Sequence, residues 1–143
     1  MAYEFLDHTG DTAVEIRATD GEDLFRQAAA ALLDILVDQR GGAPVGVSES
    51  LPVELEAEDG ESLLIDFLNE LIFLFDSRRY LCSTAEWQEL RLDPPSRLRG
   101  VLRGETFDER RHVSLTEVKA ATFHDVEIER SGAGLKTTVV FDL

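Results

Sequence analysis

Cysteine is almost missing from this 143-residue chain, and Cys82 alone excludes an internal disulfide and any zinc site built on thiolates. A reducing compartment, the cytoplasm, is the expected home. No basic segment or apolar run opens the chain, and no stretch reaches bilayer length, so neither secretion nor membrane insertion is expected. Lysine is also scarce, with only Lys119 and Lys136, and basic residues are nearly absent from the first half. Residues 1–77 carry 18 acidic against 3 basic side chains, whereas residues 78–143 carry 11 of each, so the whole net charge of −15 sits in the first half. Such a surface repels phosphate backbones, which argues against stable direct binding of nucleic acid. A basic protein partner or a bound cation matches it, and so does a simple gain in solubility.

What is present suffices for one core: the chain is 43% hydrophobic and reads as a single domain over residues 1–143. Alternation over Ala13–Thr19 predicts a half-buried strand, and Thr19-Asp20-Gly21-Glu22 has the form of a capping box that opens a helix to about Asp38. Leu24, Phe25, Ala28, Ala31, Leu32, Ile35 and Leu36 make its apolar stripe, and Gly41-Gly42-Ala43-Pro44 closes it. A second strand is expected over Ser50–Ala57. Asp59 then caps a second helix to about Phe75, in which Leu63, Ile65, Phe73 and Leu74 widen the stripe enough to predict enclosure. Strand-like stretches at Glu86–Leu92 and Arg97–Arg103, separated by Asp93-Pro94-Pro95-Ser96, predict a hairpin. Arg97, Arg99, Arg103, Arg110 and Arg111 lack the aromatic interleaving of a nucleic-acid patch and read as solvated or partner-facing. Val113–Phe123 is apolar enough for a strand. Val126–Arg130 and Leu135–Leu143, joined by Ser131-Gly132-Ala133-Gly134, predict a closing hairpin.

Two stretches carry possible chemistry. Leu6-Asp7-His8-Thr9-Gly10-Asp11 sets two carboxylates and an imidazole around a glycine, either as a cluster able to do chemistry or as a polar turn between strands. At the other end, a strand of high β propensity ends in Phe141-Asp142-Leu143, which would hold the α-carboxylate of Leu143 beside Asp142. Adjacent carboxylates suit a hard divalent cation, although a solvated polar end is the plainer reading. Asp11 and Asp142 could meet only in a sheet that pairs the first strands with the last.

Tyr3–Asp11, the Leu24–Asp38 helix, Leu63–Phe75, Gly104-Glu105 followed by Asp108 and His112, Thr116–Ala120 and the terminal Phe141-Asp142-Leu143 occur in an order that resembles the archease family over essentially the whole chain. Two departures are visible: Gly10 stands where the family usually has alanine, and Ala121-Thr122-Phe123-His124 replaces its Val-Thr-Tyr-His run. The resemblance implies an α+β fold, a two-layer domain of two main helices on a mixed β-sheet with a β-hairpin insertion. It also implies a non-catalytic partner of the tRNA-splicing and RNA-repair ligase, promoting GTP-dependent guanylylation of that enzyme's active-site histidine. A divalent cation, calcium ahead of magnesium, would be held by Asp11, Asp142 and Leu143, with Lys119 as the partner-activating residue and Asp7 and His8 in support.

Two other classes remain open to the residues. A small metal-dependent hydrolase could use His8 or His112 as base, but the chain has no serine or cysteine nucleophile motif, phosphate loop or paired-histidine helix. His8, His112 and His124 each also fit a structural role. A metal-free, chaperone-like assembly module is the third reading.

Overall fold

Val14, Ile16 and Ala18 alternate with Glu15 and Arg17, so strand β2 (Asp11–Ala18) has one apolar and one polar face. In the computed structural model the described residues are 2–7, 10–124 and 126–143, the side chains of Asp7 and Ser131 excepted. The chain begins with β1 (Ala2–Asp7), β2 and helix α1 (Gly21–Leu36), followed by β3 (Glu49–Ala57) and helix α2 (Gly60–Arg78). It continues through β4 (Tyr80–Arg91), β5 (Ser96–Thr106), β6 (Ala120–Thr122) and β7 (Glu129–Ser131) to β8 (Gly134–Asp142).

The α+β class expected from the sequence is what is found, with the sheet divided in two. A five-stranded sheet has the order β1-β2-β8-β6, with β7 also on β8, and a three-stranded sheet has the order β3-β5-β4. Every pairing is antiparallel. Both helices contact both sheets, and one core joins Val14, Ile16, Val139 and Phe141 to Phe25, Leu32, Phe67, Leu68, Leu81, Leu98 and Leu102. The β4–β5 and β7–β8 hairpins stand where the turn residues predicted them. Gly132 takes φ 61°, as a tight connection requires.

Four details depart from the sequence reading. The cap of α1 lies one residue later than the Thr19/Glu22 box: Asp20 accepts from the Asp23 N–H at 2.8 Å, and the Asp23 carboxylate accepts from the Thr19 N–H at 2.9 Å. A carboxylate at Asp20 satisfies the third helical N–H as a hydroxyl would, and Asp23 reciprocates from that position. Helix α2 passes Phe75 to Arg78 and stops at Arg79, whose φ of 57° makes a left-handed cap and whose guanidinium lies 4.1 Å from the Phe75 ring centre. Phe73 is 60% exposed, because it falls off the stripe of Leu64, Phe67, Leu68, Leu71, Ile72 and Phe75. Finally, of Val113–Phe123 only Ala120–Thr122 is a strand. The N–H groups of Leu115 and Thr116 are drawn instead to the end carbonyls of α1, at Leu36 (2.9 Å) and Ile35 (3.2 Å).

Three of the five arginines pair with the chain's own acids, Arg111 among them through Glu105. Arg97 reaches Glu54, Glu56 and Glu89 at 3.4, 3.9 and 3.2 Å, and Arg103 grips both carboxylate oxygens of Glu86 at 2.9 Å.

Candidate functional site

The first and last strands meet. β2 and β8 are antiparallel neighbours, and their register sets Asp11 opposite Asp142. Residues directly opposed in such a ladder share a face. The faces of Val14, Ile16, Val139 and Phe141 are buried against the helices, so Asp11 and Asp142 lie on the outer face. Asp142 is exposed, whereas Oδ1 of Asp11 is buried. Gly10 enters β2 at φ 76°, a conformation a glycine takes without strain. Leu143 packs part of its side chain on the core, which ties down the last residue of the chain.

β6 lies on the other side of β8, with Ala120 opposite Asp142. The N–H of Lys119, just before β6, donates to the Asp142 carbonyl at 2.8 Å. Three of the residues singled out from the sequence, Asp11, Lys119 and Asp142, are therefore brought to one end of the sheet. Asp7 pairs with Thr12 through the backbone, while its side chain and all of His8 lie outside the described residues.

Asp11, Asp142 and the Leu143 carboxylate offer oxygen donors only, a set whose chemistry fits a hard divalent cation. Among the described residues no group of three or more His, Cys, Asp or Glu side chains converges as a metal site.

His112 belongs to a different cluster. It is 4% exposed, its Nδ1 accepts from the Asp108 N–H at 2.9 Å, and its Nε2 lies 3.1 Å from Glu105. Glu105, itself 5% exposed, also meets Arg111 at 2.5 Å and accepts from the Gly46 N–H. His112 is thus enclosed and bonded to the loop that carries it. His124 is exposed, two residues beyond β6.

One residue of the site escaped the sequence reading. Asn69, on α2, accepts from the Ala121 N–H at 2.8 Å and donates to the Ala121 carbonyl at 3.1 Å, which fastens β6 to the helix. The available signal was a poor helix former inside a helix, next to the apolar Leu68, Leu71 and Ile72.

The model of the Archease protein family matches residues 3–143. The chain belongs to the archease family. Among relatives, Protein archease of Methanopyrus kandleri is 37% identical over 143 residues, covering 100% of both chains. Protein archease of Archaeoglobus fulgidus is 35% identical over 143 residues, again with 100% of both covered. Two solved structures share the fold. The solution structure of Methanobacterium thermoautotrophicum protein 1598 matches at a TM-score of 0.79 and 32% identity, covering 99% of each chain. The crystal structure of an archease from Thermotoga maritima, described as a possible chaperone, matches at 0.62 and 27% identity, covering 96% of this chain and 94% of its own. The archease resemblance read from the residues is thereby established, and the α+β architecture with it. No helix among the described residues is long and apolar enough to cross a membrane.

Proposed function

We propose that the protein is a non-catalytic activator of a GTP-dependent tRNA-splicing and RNA-repair ligase, promoting guanylylation of the ligase's active-site histidine and so its repeated turnover in the cytoplasm. The observation that supports this is the meeting of Asp11, Asp142 and Lys119 at one end of the five-stranded sheet in a chain of this family. Asp11, Asp142 and the Leu143 carboxylate would hold a divalent cation, which supplies the positive charge that lets three carboxylates share a small region. Lys119 presents an ammonium group on a surface otherwise rich in acid, where it can meet a phosphate of the partner's nucleotide. The test is ligase guanylylation with Asp11→Ala, Asp142→Ala and Lys119→Ala. Each is expected to lower the stimulation, and unchanged stimulation by all three would overturn the proposal.

A metal-free chaperone-like module is the second reading, favoured by the possible-chaperone description of the Thermotoga maritima relative. It predicts that neither calcium nor magnesium raises the melting temperature.

A further inference from the structure

We propose that Asn69 is the positioning residue for Lys119, an inference that rests on the activator reading above. β6 is only three residues long, so its pairing with β8 offers little ladder to hold it. The polar groups of Ala121 turn toward α2, and the Asn69 amide meets both, accepting at 2.8 Å and donating at 3.1 Å. A side-chain amide is the group that can do this, since it carries a donor and an acceptor on one planar head. Two residues earlier, the Lys119 N–H is held by the Asp142 carbonyl at 2.8 Å, and Val118 before it is buried. The segment Val118–Ala121 is thus fixed at both ends, by the core and Asp142 on one side and by Asn69 on the other.

The consequence concerns reach. Lys119 is exposed, and a long flexible side chain can place its ammonium reproducibly only when its Cα is fixed. Without the amide, Ala121 would exchange its two bonds for water, and the short strand would fray together with Lys119. Asn69 itself sits on a helix whose neighbouring Phe67, Leu68, Leu71 and Ile72 are buried, so the clamp is mounted on a rigid part of the core.

The experiment joins amide hydrogen exchange on the full chain with ligase guanylylation. In Asn69→Ala, which loses both bonds to Ala121, the amides of Lys119 and Ala121 are expected to exchange about tenfold faster, while those of Val14 and Val139 keep their protection. Asn69→Asp, which retains only the acceptor, should fall between. Maximal stimulation of the ligase should drop as far in Asn69→Ala as in Lys119→Ala, and the double variant should be no worse than Lys119→Ala alone. Unchanged exchange at Lys119 would overturn the proposal, as would losses that multiply in the double variant. If Asp11→Ala, Asp142→Ala and Lys119→Ala all leave stimulation intact, the activator reading fails, and exchange at Lys119 alone decides whether Asn69 positions it.

Discussion

Asp11 and Asp142 stand directly opposite one another across the β2–β8 ladder, two like charges at a spacing of about 5 Å between Cβ atoms. Like charges directly opposed on a ladder are unfavourable, and a bound cation would relieve the repulsion at this end of the sheet. Asp11→Asn is therefore expected to raise the melting temperature in chelator and to lower it, relative to the parent, in calcium. Calcium at about 100 times its dissociation constant should add about 2.7 kcal/mol to the parent and nothing to Asp11→Asn/Asp142→Asn. Calorimetry in the two buffers checks this, and an equal calcium response in both proteins would remove the ion from the site.

Acid should loosen α2 at its start. The Ser62 N–H donates to Asp59 at 2.8 Å, and with the Ser62 hydroxyl it holds the Asp59 carboxyl below the usual carboxylate range. A group depressed in the fold contributes stability above its unfolded pKa, and that contribution is lost as pH falls through the folded value. Asp59→Asn keeps a capping acceptor without a titrating group, so its melting temperature should fall less steeply with acid. Asp59→Ala should cost about 1 kcal/mol at neutral pH. Thermal melts across the acid range separate the three proteins.

Glu105 is a buried anion shared by Arg111, His112 and the Gly46 N–H. Removing it leaves the Gly46 N–H enclosed without its acceptor and takes the carboxylate from beside the buried His112 ring. Glu105→Ala is expected to cost about 3 kcal/mol in urea unfolding, with Glu105→Gln, which keeps an acceptor, costing less.

Trp87 reports on the contact between the helices. Its ring lies 5.5 Å from that of Phe67 and 6.2 Å from that of Phe25, and Phe67 and Phe25 are themselves 5.5 Å apart. Phe67→Ala should cost about 3–5 kcal/mol and shift the emission of the single tryptophan in the folded state. Urea titration followed by fluorescence reads both effects.

The elements legible in the sequence are those whose pattern reflects their own burial. Apolar residues recur at helical steps along α1 and α2 and at alternate positions along β2, β3 and β8, and each element appears close to where its pattern put it. Residues 113–119 misled for the opposite reason. Their composition suits a strand, but a strand needs a neighbour, and the neighbour they found was the carbonyl end of α1. Phe73 misled as well, since an apolar residue on a wide stripe looks enclosed until the surrounding elements are in place.

For the candidate site, the sequence by itself determined the chemistry: carboxylates at Asp11 and Asp142, a rare lysine at Lys119, and the requirement that the two termini share a sheet if they were to meet. Only the tertiary structure decided that they do. Register between strands far apart in sequence depends on the packing of both against the helices, and a slip of one residue would have sent Asp142 to the buried face. The same long-range packing set Asn69 beside Ala121, a contact between residues 52 apart that no local pattern encodes.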